Sequence, residues 1–233
     1  MLELRSATAR GAANFGWLDS KHSFSFGRYY DPAHMGFSAL RVINDDWVAP
    51  GAGFDTHGHR DMEIISMVLE GKIAHKDSTG QQQVLPVGEF QLMSAGRGIM
   101  HSEFNASASD ELKFLQIWIE PNVRGTDPGY QQQAFAPISG MQLIASPDGR
   151  DQSLKLRQDA SLYQLRLAAD AKELQQLDAN RKYYLHLISG ELQLTTAEGV
   201  VTLRAGDGVK IAGTDALQLQ SIADSHGLWF DLP

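Results

Sequence analysis

The sequence predicts an all-β protein built from two β-modules, and three features carry that expectation. Short apolar segments recur at roughly 8–12-residue spacing between glycine-marked turns, as in β-sandwiches and barrels. A glycine-framed pattern in the first half returns in the second, as expected of a duplicated unit. Helical periodicity is nearly absent; the stretch 170–177 is the one place where a short helix is expected.

The first 50 residues are rich in glycine and aromatics. Phe24 and Phe26 alternate with small polar residues, which predicts a strand with one buried face. Asp31-Pro32 marks a turn and Leu40-Arg41-Val42-Ile43 the next strand. Trp17, Tyr29 and Tyr30 are expected to pack in the core or on the rim rather than to form a binding box. From Pro50 onward, strands are predicted over 62–69, 72–76, 82–85, 89–93 and 112–120. The turns between them are marked by Gly71, Asp77–Gly80 and Pro86–Gly88.

The repeat is specific in its spacing. Val68-Leu69-Glu70-Gly71-Lys72-Ile73, followed by Val87-Gly88 and closed by Gly96, can be laid over Ile188-Ser189-Gly190-Glu191-Leu192, followed by Ala205-Gly206 and closed by Gly213. The domains expected are 1–125, a polar linker over 126–138, and 139–233. The second copy carries neither a His-x-His nor a His-x-Glu pair, so chemistry is expected in the first copy alone.

Composition narrows the classes. The 233-residue chain holds no cysteine, which excludes disulfides, thiolate metal sites and cysteine nucleophiles. A net charge of −8 without a basic patch argues against nonspecific binding to nucleic acid or an anionic membrane. No apolar run approaches the ~20 residues of a membrane span, and no secretion signal is evident. A cytoplasmic monomer is the expectation. No phosphate loop, dinucleotide fingerprint or nucleophile motif is present.

What stands out is a pair of clusters some 40 residues apart, His57-Gly58-His59-Arg60-Asp61-Met62-Glu63 and His101-Ser102-Glu103. On a strand, an i, i+2 spacing aims both side chains at one face. Two strands presenting such pairs toward each other make a four-ligand metal site. Glu63 shares the parity of His57 and His59 and is a further candidate. Arg60, Asp61 and Arg97 are expected as rim or turn residues. His22, His34, His75, His186 and His226 are expected at the surface or in hydrogen bonds, and Met62, Met67, Met93 and Met100 as packing.

The frame Gly51-x5-His57-x-His59-x3-Glu63, with His101-x3-Asn105 later, resembles the two-part signature of cupin barrels. With Leu69-Glu70-Gly71, Ser94-Ala95-Gly96-Arg97-Gly98-Ile99, Gly16-Trp17-Leu18-Asp19-Ser20 and Met35-Gly36-Phe37, the chain resembles the pirin family, its bacterial members most of all. Ser94 stands where cupins usually carry proline, and four residues rather than two separate Gly96 from His101; both departures match pirins. The resemblance covers nearly all of the first 120 residues and, more weakly, the rest.

It implies a bicupin, two β-barrels packed face to face, with metal in the N-terminal barrel. By position the implied ligands are His57, His59, His101 and Glu103, with Glu63 left to support a histidine. The implied metal is divalent, Fe(II) first, with Mn, Ni, Cu, Co or Zn as alternatives. Three imidazoles and a carboxylate suit such ions and leave two octahedral positions open. The implied activity is quercetin 2,3-dioxygenase chemistry on a flavonol with dioxygen, Glu103 acting also as the base. The alternative is a metal- or redox-responsive regulator that works through a protein partner, as eukaryotic pirins do.

Overall fold

The structure, a computed structural model, describes Met1–Pro233. The strands run β1 (Leu2–Arg5), β2 (Gly11–Asn14), β3 (Leu18–His22), β4 (Leu40–Val48), β5 (Gly53–His59), β6 (Glu63–Glu70) and β7 (Lys72–Asp77). They continue with β8 (Gln82–Pro86), β9 (Glu89–Ser94), β10 (Ile99–Asn105), β11 (Leu112–Ile119), β12 (Gly129–Ala134) and β13 (Gly140–Ser146). The last seven are β14 (Leu154–Lys155), β15 (Ser161–Leu167), β16 (Lys172–Gln176), β17 (Lys182–Thr196), β18 (Gly199–Arg204), β19 (Gly208–Ala212) and β20 (Ala216–Leu232). Only two single-turn 3₁₀ segments interrupt them, so the all-β expectation holds.

Two compact units interleave in sequence: Gly11–Ala136 with Leu154–Gln158, and Met1–Arg10 with Pro137–Ser153 and Asp159–Pro233. The first contains a seven-stranded sheet, β12-β9-β6-β11-β4-β3-β2, and a four-stranded one, β5-β10-β7-β8. Its interior follows the two-residue period of its strands. Inward positions run apolar, polar, apolar along Ile64–Ser66–Val68 of β6 and Trp118–Gln116–Phe114 of β11. The apolar positions belong to two clusters, one around Val68, Ile73 and Phe114 and one around Ile64, Met93 and Ile99. The polar level between them is where the chemistry sits.

The second unit has no such level. Thirteen buried side chains fill its interior, among them Leu165, Leu185, Leu187, Leu194, Val209, Ile211 and Trp229. Each contributes on the order of 1.5–3 kcal/mol of burial.

The repeat has a conformational counterpart. Gly71, Gly88 and Gly96 have φ of 79°, 89° and 51°, and Gly190, Gly206 and Gly213 have φ of 93°, 84° and 64°. A Cβ at Gly71 would strike the carbonyl oxygen of Glu111, and one at Gly190 that of Asp224. Glycine is therefore needed at this turn in both copies for conformation and for space.

Three expectations differ from the structure. The stretch 170–177 forms strand β16, not a helix: its side chains alternate between exposed and half-buried, and it pairs along β20. Phe24 and Phe26 lie outside any strand; Phe26 makes only an isolated bridge to Tyr29 across a tight turn. The 126–138 stretch, expected as a linker, contributes β12, which pairs residue for residue with β9.

Candidate metal centre

Register brings the two clusters together. β10 lies between β5 and β7, antiparallel to both. His101 stands directly opposite His57 on one side and opposite Asp77 on the other, while Glu103 stands opposite His75. Directly paired residues place their Cβ atoms about 4.5–5.5 Å apart, so imidazoles at such positions converge. A register shift between His101 and Glu103 on the β5 side re-aims the pair, the usual effect of a bulge.

Ring centroids are 4.8 Å apart for His57–His59, 4.4 Å for His57–His101 and 4.8 Å for His59–His101. One nitrogen from each lies within 4.8 Å of the others, the arrangement of a three-histidine metal group. A second group, His75, His101 and Glu103, meets the same limit and shares His101. The four residues picked out by spacing thus lie together, though Glu103 approaches from the His101 side.

The donors are in the right state to bind. His57 Nδ1 lies 2.7 Å from the Asp55 carbonyl oxygen and donates to it, which leaves the Nε2 lone pair available. His101 is 1% exposed and neither ring nitrogen has a hydrogen-bond partner. Burial, with the neighbouring imidazoles, lowers His101 to about 3 and His59 to about 4, so both rings are neutral at neutral pH. A buried imidazole with two orphaned nitrogens is costly unless a ligand takes it up, so these residues fit a borderline transition metal.

Glu103 is held from the opposite sheet. Ser66 Oγ donates to Oε1 at 3.3 Å and Gln116 Nε2 to Oε2 at 2.7 Å. Glu63, despite its parity, serves elsewhere: its Oε2 accepts from Ser94 Oγ at 2.9 Å and from the Arg157 backbone N–H at 3.2 Å. Burial raises its pKa and these two hydrogen bonds oppose the rise.

A cavity of about 900 Å³ opens beside the histidines, reached by His57, His59 and Glu103. Phe15, Trp17, Phe26, Tyr29, Phe54 and Trp118 wall it. Trp118 meets His59 edge to face at 5.0 Å, and Phe54 lies edge-on to Trp17 at 5.2 Å. Trp17 packs against the cluster around Val68 and Phe114, in line with its expected core or rim place, and it and Tyr29 also line this cavity. Ser20, His22, Asn44 and Asp46 form one polar wall of it, and Asn14, Arg28 and Asp55 also line it.

His75, expected at the surface or in a hydrogen bond, is buried and hydrogen-bonded, and the i, i+2 spacing also marks it. With Asp77 it forms a second inward pair, Nε2 donating to Asp77 Oδ2 at 3.0 Å, and its ring lies 5.5 Å from His101. Asp61 and Arg97 are turn and rim residues as expected: Asp61 accepts from the Gly125 N–H, and Arg97 pairs with Asp127 on the surface. Met100 is exposed rather than packed.

The pirin family model matches residues 4–119. A relative from Escherichia coli (strain K12) named quercetin 2,3-dioxygenase is 48% identical over all of this chain and 99% of its own. The chain belongs to the pirin family. A second model, described as the quercetinase C-terminal cupin domain, matches residues 143–232, so both modules of this pirin are cupins. Among solved structures, bacterial pirin YhhW from Escherichia coli, in complex with nickel(II), superposes with a TM-score of 0.95 at 48% identity. That match covers 100% of this chain and 99% of the other. YhaK from Escherichia coli matches at 32% identity with a TM-score of 0.78, over 96% of this pirin and 98% of that chain.

The two carboxylates can be separated experimentally. Glu63→Ala leaves Ser94 Oγ and the Arg157 N–H without their acceptor, at about 1–3 kcal/mol of stability, with metal content unchanged. Glu103→Ala is expected to lower metal content instead. Metal analysis alongside thermal unfolding reads both, and metal loss confined to Glu63→Ala would reverse the assignment.

Proposed function

We propose that this pirin is a metal-dependent dioxygenase of the quercetin 2,3-dioxygenase type, with His57, His59, His101 and Glu103 as the metal ligands. The observation that carries it is a three-histidine group opening onto an aromatic-walled cavity with a buried carboxylate beside it. The relatives' names and the nickel(II) complex of a 48% identical pirin support it.

A bound divalent metal, Fe(II) first among the candidates, supplies Lewis acidity toward a substrate oxygen and redox chemistry toward dioxygen. The chain supplies the rest. Trp17, Tyr29, Phe54 and Trp118 sandwich a planar polyphenol and keep water from its central ring. The Glu103 carboxylate receives the proton of the flavonol 3-hydroxyl. Ser66 and Gln116 hold that carboxylate at the cavity wall throughout. A cavity of about 900 Å³ falls within the usual ~300–1,000 Å³ of small-molecule sites.

The test is metal analysis of the purified protein with oxygen uptake on flavonols. One metal per chain and quercetin-dependent oxygen uptake that vanishes on chelation are expected. Turnover by metal-free protein would end this mechanism, and full metal occupancy without turnover would favour the partner-dependent regulatory role.

A further inference from the structure

The polar wall on β3 and β4 has no part in the metal centre. Ser20, His22, Asn44 and Asp46 all face the cavity and are at most 3% exposed. Most of their groups answer one another across the register that pairs Ser20 with Asp46 and His22 with Asn44. His22 Nδ1 meets Asn44 Oδ1 at 2.8 Å and Ser20 Oγ at 3.3 Å, and the Ser20 hydroxyl also serves the Asp46 carboxyl. Asp46 Oδ1 is left over: buried, on the cavity wall and without a hydrogen-bond partner.

Charge limits what can satisfy it. The ionisable neighbours that act on Asp46 are Asp19, Asp45 and Glu103, all acidic, with no cation among them. Beside these carboxylates an anionic ligand group would be repelled, Arg28 being the one arginine or lysine that lines the cavity. A buried carboxyl oxygen without a donor is expensive. The ligand group that fits is therefore a donor without negative charge, and for a polyphenol on an aromatic wall this means a phenolic hydroxyl.

We infer that Asp46 anchors a phenolic hydroxyl of the substrate other than the 3-hydroxyl and so selects polyhydroxylated aromatics. This rests on the flavonol reading, in which the 3-hydroxyl belongs to the metal and Glu103. Asp46 thereby fixes how far and in which orientation the rings enter. It discriminates as buried polar groups do, by being left unpaired when the analogue lacks its partner.

The experiment compares quercetin with 3-hydroxyflavone, which keeps the 3-hydroxyl and lacks every other. Binding is read from quenching of Trp17 and Trp118, in metal-free and metal-loaded protein, for wild type, Asp46→Asn and Asp46→Leu. Asn keeps a neutral acceptor and Leu keeps the volume without one. Quercetin is expected to weaken about 10-fold or more in Asp46→Leu and by less in Asp46→Asn. 3-Hydroxyflavone should change less than about 2-fold. Equal losses for both ligands, or none for either, would overturn the anchor; where Asp46→Leu does not fold, the Asn variant decides.

The two readings fail separately. Wild-type protein that binds quercetin in an Asp46-dependent way without consuming oxygen keeps the anchor and loses the dioxygenase. Cleavage of both flavonols at unaltered KM in Asp46→Asn and Asp46→Leu keeps the dioxygenase and loses the anchor.

Discussion

His101→Ala is expected to abolish stoichiometric metal binding and to cut quercetin-dependent oxygen uptake by more than ~100-fold, beyond the 10–100-fold typical of groups that merely support ligands. Among the candidate ligands it is the one shared by both groups of potential donors. It is also the most buried of the three clustered histidines, and neither of its nitrogens is satisfied by protein. Its removal breaks the donor set without orphaning a hydrogen-bonding partner. Metal-free stability should therefore fall only by the cost of a small cavity. Elemental analysis and an oxygen electrode read the two losses, and circular dichroism confirms the fold. A His101→Ala protein that kept one metal per chain at wild-type affinity would remove His101 from the ligand set.

The ligand candidates were legible because strand geometry has so short a period. His57/His59 and His101/Glu103 advertise a common face two residues at a time, and a glycine frame indicated that strands were present. The β10 register then places His101 opposite His57. The same rule extends to His75-Lys76-Asp77, whose His75 stands opposite Glu103. The parity of Glu63 gave no guide. The chain turns at Asp61, where φ is 48°, before β6 begins. Glu63 pairs with Ser94 across β6–β9 and belongs to the seven-stranded sheet rather than to the sheet of the histidines.

The polar wall was harder to see. Asn44-Asp45-Asp46 looks like turn chemistry in a sequence, yet all three sit mid-strand in β4 and are buried. Strand propensity disfavours such residues, and what holds them is pairing on both sides, to β3 and β11. The stretch 170–177 failed for a related reason. Its lysine, glutamate and glutamines are good helix formers, but β20 extends far enough to offer Lys172–Gln176 a complete antiparallel partner. In both cases an edge supplied by distant sequence decided the local structure. A propensity argument has no access to that edge.

Acid is expected to unfold the metal-free protein well before general acid denaturation, with the loss beginning as pH falls below about 6.5, the ordinary histidine value. Burial chiefly lowers four histidines, His59 and His226 to about 4, His101 and His186 to about 3. In the unfolded chain each takes a proton near 6.5; in the folded chain each stays neutral until the lowered value. The unfolded state thus binds more protons in this window, and stability falls as pH falls through it. Asp46 works the other way. Burial raises it to about 7, so its penalty grows as pH rises from about 4 towards 7. Glu63, also raised, acts in the same sense as Asp46. Four histidines outweigh the two carboxyls, and the net slope is positive. His186 gives the cleanest check, being wholly buried and belonging to neither group of potential metal donors. Urea titrations between pH 4.5 and 6.5 should show the slope in His186→Leu reduced by about 1.4 kcal/mol per pH unit, the value of one proton. An unchanged slope would mean that the folded protein protonates this imidazole as readily as the unfolded chain does. The leucine also removes an unsatisfied buried nitrogen, so the variant should gain stability in acid without a matching loss at neutral pH.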